Sequence, residues 1–120
     1  MNIEEFREYC LHMPGASEEC PFGPDTLVFK VGGKMFALCG ISEFGSVNLK
    51  CDPERAVQLR EQYSQINPGY HMNKKHWNTV ETEGLPHPFI RELIRHSYEL
   101  VVSGLSLKER KVLGFGNKTK

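Results

Sequence analysis

The feature that most constrains the fold of this chain is the Gly32-Gly33 pair, which lies between two segments of strand character. Residues 26–31 before the pair and residues 34–39 after it are rich in β-branched, aromatic and other apolar side chains. Glycines adopt the positive φ angles that a two-residue turn between antiparallel strands requires. The sequence therefore predicts a β-hairpin here, and with it an antiparallel sheet.

Two more strands are indicated further along the chain. In residues 46–51 three apolar side chains alternate with Asn48 and Lys50, which places those two polar residues on the opposite face, toward solvent or a ligand. In residues 66–83 the Pro68-Gly69 pair predicts a turn, and β-branched and aromatic residues collect at positions 76–81. We expect a strand over residues 76–81.

The helices carry recognisable start and stop signals. Asn2 can cap a first helix, with Glu5 reaching back three positions later, and this helix should end before Pro14. Asp52 followed by proline predicts the start of a second helix, which should end near residue 64. A third helix follows residue 88, has a broad apolar stripe and ends at Gly104. A short helix is predicted over residues 106–113.

The predicted order of the main elements is α-β-β-β-α-β-β-α, in which residues 66–83 supply one or two strands. Runs of strands between helices favour an α+β fold in which helices cover one face of an antiparallel sheet. At 120 residues the chain is predicted to be one domain, 1–120, with residues 114–120 as a frayed basic tail. The role of the other sheet face is the question that this pattern leaves open.

Composition excludes several classes of protein. Apolar residues make up 39% and charged residues 25% of the chain, as in an ordinary globular protein, and no apolar run approaches the length of a membrane span. The formal net charge is zero, which argues against a strong, sequence-independent polyanion binder. The acidic start of the chain has no secretory signal, so we expect a cytoplasmic protein without a membrane partner.

The cysteines and histidines are weak metal candidates. The cysteines at positions 10, 20, 39 and 51 form no C-x-x-C pair, so we interpret them as reduced, small, buried apolar residues. His71 and His76 could share a metal with Cys51 or Cys39. Their odd separation sends them to opposite faces of a strand, however, and hydrogen bonding to nearby backbone is the alternative. We expect neither a metal nor a cofactor.

The segment from Pro68 to Val80 concentrates aromatic rings, lysines, histidines and amides, the groups that contact phosphates and bases. Together with polar residues of the predicted strands, it supplies the candidate nucleic-acid or ligand-binding residues. These are Lys34, Asn48, Lys50, Tyr70, His71, Asn73, Lys74, Lys75, His76, Trp77 and Asn78.

Each of these residues also has a plain structural interpretation. Lysines such as Lys74 and Lys75 could neutralise phosphates or only keep an exposed strand soluble. Trp77 could stack on a base, but a single tryptophan in a small domain usually belongs to the core. Phe22, between proline and glycine, is interpreted as a plug that seats its loop.

Several motifs together resemble one bacterial family, MmcQ/YjbR. The matching residues are Pro21-Phe22-Gly23, Lys34-Met35-Phe36-Ala37, Val47-Asn48-Leu49-Lys50-Cys51, the segment from Pro68 to Asn78, Ser97-Tyr98 and Val101-Val102. The resemblance covers nearly the whole chain, and its long central motif is specific.

The resemblance implies a compact α+β domain similar to the CyaY-like fold and to the double-wing DNA-binding domain of a phage transcription factor. It implies a non-enzymatic protein that binds DNA through a basic and aromatic sheet face, and we expect a monomer. The alternative is an interaction module whose aromatic and basic pocket receives a small anion or a protein. An enzyme would need a convergent acid, base or nucleophile, which the sequence does not display.

Overall fold

The computed structural model describes residues 1–69 and 72–114. In this part of the chain six antiparallel strands form one sheet in the order β1-β2-β3-β4-β6-β5, which confirms the predicted α+β class. The strands are β1 Ser17–Glu19, β2 Thr26–Val31, β3 Lys34–Gly40, β4 Ser46–Lys50, β5 Ile66–Pro68 and β6 Trp77–Glu81. The helices are α1 Ile3–His12, α2 Pro53–Gln62, α3 His87–Ser103 and α4 Leu107–Val112. The tail predicted to fray lies outside the described residues, apart from Gly114.

Helices α1 and α2 begin at the predicted caps. The Asn2 side chain accepts a hydrogen bond from the Glu5 backbone N–H at 2.8 Å, and the Glu5 carboxylate accepts one in return at 3.0 Å. Asp52 caps α2, with Pro53 at its first position, and Ser106 caps α4. Such caps satisfy backbone groups that the first helical turn leaves without partners, which is why they can be recognised from sequence.

Strand β1 was missed by the sequence prediction, which had three strands between α1 and α2 where the structure has four. Its Glu18 and Glu19 carry no strand signal. The strand forms because it pairs with the edge of β2, and because its carboxylates have cationic partners. Lys30 lies 2.6 Å from Glu19, and Arg7 of α1 pairs with Glu18.

The main core lies between the helices and one face of the sheet, which we call the covered face. A chain of aromatic contacts crosses it, with ring centroids 5.5 Å apart for Phe6 and Phe29 and 5.3 Å apart for Phe36 and Tyr98. Phe36 is an extra residue in β3, because Phe29 pairs with Ala37 and Lys30 pairs with Met35. This β-bulge directs Phe36 and Ala37 together into the core.

Ser97 of α3 repairs the hydrogen bonding that the bulge interrupts. Its hydroxyl accepts a hydrogen bond from the Lys50 backbone N–H at 2.8 Å and donates one to the Phe36 carbonyl. The side chain is fully buried. The neighbouring Tyr98 donates its hydroxyl proton to the Pro14 carbonyl, so this Ser-Tyr pair fastens α3 to the sheet and to the end of α1.

The strand directions bring two turns to the same end of the sheet. The Gly32-Gly33 turn joins β2 to β3, with φ angles of 60° and 78° as predicted, and residues 69–76 join β5 to β6. The strand registers place both connections beside the last residue of β4, Lys50. Helix α4 also starts at this end of the sheet. Leu105, just before the helix, packs on Gly32, where a Cβ atom would lie only 2.8 Å from the Leu105 side chain.

Candidate functional site

The end of the sheet that holds both turns is rich in lysines, and we call it the lysine end. It carries Lys30, Lys34, Lys50, Lys74 and Lys75. The connections at the opposite end carry carboxylates instead. These are Asp25, Glu43, Glu81 and Glu83. The chain is neutral overall, but the connections at the two ends of its sheet therefore carry mainly opposite charges.

The lysines differ in what they contact. Lys30 is paired with Glu19. Lys34 is exposed and lies near α4, where Glu109 has a pKa below its ordinary value, mainly because it bonds to Ser106 and to a smaller extent because of the Lys34 charge. Lys50 lies opposite Trp77 in the β4–β6 register. The charge of Lys30 is thus neutralised by the Glu19 carboxylate. Within the described residues, neither Lys34 nor Lys50 forms an ion pair.

The β5–β6 turn is held by its own backbone. The Gly69 N–H donates to the Trp77 carbonyl at 2.9 Å, and the Trp77 N–H donates to the Asn73 carbonyl at 3.0 Å. The Asn73 side-chain oxygen accepts from the Lys75 N–H at 2.9 Å, a local turn that short amide side chains favour. His76 is half-buried, and its carbonyl accepts from the Cys51 N–H at 2.8 Å. The turn is tied in this way to the end of β4.

Arg60 of α2 holds the same turn from the covered side. Its guanidinium donates to the carbonyls of Lys74 and Trp77 and, through Nε, to the Asn78 side-chain oxygen at 2.7 Å. No sequence signal indicated this role of Arg60, because it depends on how α2 packs beside the turn. The guanidinium bonds to the backbone of the turn and so fixes its conformation. The exposed side chains of Lys74 and Lys75 therefore extend from an ordered turn.

Asn78 does not share a face with Asn48 and Lys50, which corrects the expected grouping of the site. It lies opposite Leu49 in the register, is 2% exposed, and also donates to the Ala56 carbonyl at 3.5 Å. The physical reason is strand alternation, because Trp77 takes the open face and the next residue must point to the helices. Asn78 therefore supports α2 and Arg60 within the core.

Trp77 is packed against other apolar side chains, as its structural interpretation predicted. It is 8% exposed and forms a small second cluster with Val28 and Leu38 on the face without helices, the open face. Met35 and Met72 pack partly against this cluster. Trp77 thus forms part of the floor of the open face and has little ring area to offer to a stacking base.

A concave region of about 660 Å³ lies on this open face, and we call it the open-face groove. Its lining includes Phe22, Met35, Leu38, Asn48, Met72 and Asn73. Phe22 does not act as a buried plug, contrary to expectation, because it is 65% exposed. Since Phe22 comes from the loop after β1, it reaches the groove only through the fold.

A second concave region, of about 560 Å³, runs between α2 and the β5–β6 turn. We call it the α2 groove. Its lining includes Arg60, Lys74 and Lys75, and also Glu54 and the half-exposed Val57. The turn therefore separates two grooves, with Asn73 on one side and the two lysines on the other. Tyr70 and His71, also candidate residues, lie outside the described residues.

The cysteines show a difference that spacing could not reveal. Cys10, Cys39 and Cys51 are buried, as predicted, but Cys20 is exposed in the turn before Pro21, which corrects the expectation that all were core residues. Burial raises the pKa of the Cys51 thiol to about 11 and that of Cys39 to about 12. In residues 1–69 and 72–114 no three histidine, cysteine or acidic side chains converge as metal ligands. In the same ranges no helix is long and apolar enough to cross a bilayer.

Comparison with known proteins now assigns the family. The YjbR family model matches residues 11–100. The chain belongs to the YjbR family. Protein YbdF of Escherichia coli O157:H7 is 40% identical over 110 residues, which cover 90% of each chain. Protein YjbR of E. coli K12 is 36% identical over 115 residues, which cover 94% of this chain and 98% of that protein. Both relatives are described as uncharacterized, so they confirm the resemblance without adding an activity.

Solved structures support the same assignment. The crystal structure of a Deinococcus radiodurans protein with a DUF419 domain superposes with a TM-score of 0.88 at 43% identity, covering 94% of this chain and 88% of that one. A Pseudomonas syringae protein matches with a TM-score of 0.71 at 32% identity, covering 84% and 99%. This YjbR-family fold therefore extends across bacterial proteins that share about a third or more of their residues.

Proposed function

We propose that this YjbR-family chain is a non-enzymatic DNA-binding protein that contacts the DNA backbone with its lysine end. The supporting observation is the position of the two turns. They lie at one end of the sheet and bring together Lys34, Lys50 and the Lys74-Lys75 pair, which are far apart in sequence. Ammonium groups on supported turns are suited to phosphate contacts, which position a protein on DNA.

The separation of the two turns suits a duplex. The midpoints of the β2–β3 and β6–β5 hairpins are three strand positions apart, which is roughly 14 Å at about 4.8 Å per strand. The major groove of B-DNA is about 12 Å wide. One turn can therefore lie near each of the two backbones that border the groove.

The neutral net charge sets the expected strength of binding. Four carboxylates lie at the opposite end of the sheet, where they repel DNA less than they would among the lysines, whereas Glu54 lines the α2 groove beside Lys74 and Lys75. In the described part of the chain, Lys34, Lys50, Lys74 and Lys75 have no ion-pair partner. About four phosphate contacts would limit the slope of log affinity against log salt to about −4. We expect modest affinity that falls quickly as salt rises.

Fluorescence anisotropy with a labelled duplex over a range of salt concentrations tests this proposal. The double variant Lys74→Gln, Lys75→Gln should reduce the magnitude of the salt slope by about 2 at most, because two phosphate contacts are lost. The control variant Arg91→Gln, Arg95→Gln removes the same charge from exposed positions of α3 and should leave the slope unchanged. Equal losses in both variants, or no binding at low salt, would overturn the proposal.

The α2 groove favours a second candidate function, an anion-binding module. Lys74 and Lys75 line it beside Arg60, and a small anion could bind there without DNA. In that case inorganic phosphate or a nucleotide should raise the melting temperature while DNA has no effect. Thermal melting with and without each of these ligands separates the two candidates.

A further inference from the structure

We infer that the open-face groove holds one unpaired base of the DNA strand whose phosphates contact the lysine end, an inference that rests on the proposed function. The groove is the exposed part of the open face, and its floor is apolar. Leu38 is 8% exposed there, and Met35 and Met72 lie beside it. A flat apolar body can cover such a floor, as a nucleobase does when it leaves the stack.

Phe22 supplies the surface on which a base can stack. Its ring is 65% exposed at the edge of the groove, although a side chain of this size normally gains from burial. Base stacking on an exposed aromatic ring is tolerant of sequence, because every base has a π-face. The exposed ring beside an apolar floor therefore fits a base better than it fits a fully charged ligand.

Two amides supply hydrogen bonds at the edges of the groove. The Asn48 side-chain oxygen accepts from the Thr79 hydroxyl at 2.6 Å, and the Asn73 side-chain oxygen accepts from the Lys75 N–H at 2.9 Å. These bonds orient both amides, and within residues 1–69 and 72–114 neither Nδ2 group has a hydrogen-bond partner, so each can donate to a ligand. Amide donors can bind the ring nitrogens and carbonyl oxygens of a base edge.

Charge complementarity identifies the rest of the occupant. The groove ends at Asn73, and the next residues along the turn are Lys74 and Lys75. Lys50 lies on the open face beside Trp77. A ligand in the groove therefore has Lys50 on the same face, two residues beyond Asn48, and the two turn lysines across the turn, which is an arrangement that a base with flanking phosphates can use. In a continuous duplex every base is stacked, so an unpaired nucleotide is needed.

Three DNAs of equal length and matched sequence test this inference by anisotropy at constant salt. They are a continuous duplex, the same duplex with one extra unpaired nucleotide, and the single strand. The unmodified protein should bind the last two about tenfold more tightly than the continuous duplex, and Phe22→Ala should remove that preference while changing affinity for the continuous duplex less than twofold. Ile41→Ala, an exposed apolar residue near the acidic end, is the matched control and should change nothing.

The other outcomes are distinguishable. Equal binding of all three DNAs would overturn the base-binding inference and leave the proposed function standing, whereas no binding to any DNA would overturn both. Binding of adenosine or thymidine monophosphate without binding of the strands would assign the groove to free nucleotides. Dimerisation in sedimentation that Phe22→Ala abolishes would assign the groove to a second copy of the chain. Both of these results would overturn the inference.

Discussion

Asn48 and Asn78 show how differently the two faces of the sheet use the same side chain. They lie on the adjacent strands β4 and β6, where Asn48 pairs with Thr79 and Asn78 pairs with Leu49. Asn78 is buried on the covered face and bonds to Arg60, whereas Asn48 lines the open-face groove. A shift of one residue in register thus separates an amide that stabilises the fold from one that can bind a ligand.

The basic residues divide in the same way. Arg60 is half-buried, and its planar guanidinium bonds to several acceptors of the β5–β6 turn. Lys74 and Lys75 are exposed on that turn, although Lys74 also reaches the Gly69 carbonyl at 3.4 Å. Arg60 therefore holds the turn in place, and the exposed lysines of the turn present their charge beside the α2 groove. Mutations on the two faces should consequently change different measured quantities.

The largest expected difference between the faces is in stability. Leu49→Ala on the covered face should reduce the free energy of unfolding by about 3–4 kcal/mol, because it leaves a cavity in a closed core. Leu38→Ala, on the neighbouring strand but in the open-face groove, should cost about 1–2 kcal/mol, because solvent can fill the space. Urea unfolding measures both. Equal losses would show that the open face is packed as tightly as the core.

Ser97→Ala tests the hydrogen-bond repair beside the bulge in β3. It should destabilise the protein by about 2–3 kcal/mol, because the Lys50 N–H and the Phe36 carbonyl both lose a buried partner. Ser103→Ala is a matched control on the same helix, since that hydroxyl is exposed and contacts only the Leu100 carbonyl. The control should change stability by less than about 0.5 kcal/mol. A Ser97→Ala variant as stable as this control would contradict the bridging role.

The smallest effects separate the two asparagines. Asn78→Ala should lower the free energy of unfolding by about 1–2 kcal/mol, because the Nε group of Arg60 loses its acceptor in a half-buried position. Asn48→Ala should cost about 0.5 kcal/mol at most, since its bond to Thr79 is only partly buried. Thermal and urea unfolding of both variants provide the measurement. The reverse ranking would mean that the faces have been assigned the wrong roles.

Much of the fold was predictable because its signals are local. The capping residues Asn2, Asp52 and Ser106 lie where helices begin, and Gly32-Gly33 turns the chain between β2 and β3. Each signal acts within a few residues, through a hydrogen bond or an allowed φ angle. Strand β1 lacked such a signal, because only its partner strand and the cations that pair with its carboxylates make it a strand.

The candidate site was predictable only in part. The sequence identified Asn73, Lys74 and Lys75 as candidate residues, and it placed Asn48 and Lys50 on one face of β4, because alternation along a strand is a local property. It grouped Asn78 with those residues, whereas alternation along β6 and the register with β4 place Asn78 opposite Leu49 on the covered face. The sequence could not predict that Phe22 lies against the open-face groove, which depends on where a distant loop packs.

The amino-acid sequence by itself determined the helices, the central hairpin, the α+β class and the family of this protein. Tertiary structure alone decided that two turns meet at one end of the sheet and that carboxylates collect at the other. It also decided which polar residues are buried and hydrogen-bonded within the core. The physical reason is the sequence separation of the interacting residues. Caps and turns act between neighbours along the chain, whereas charge clusters and grooves arise from distant residues that only sheet pairing brings together.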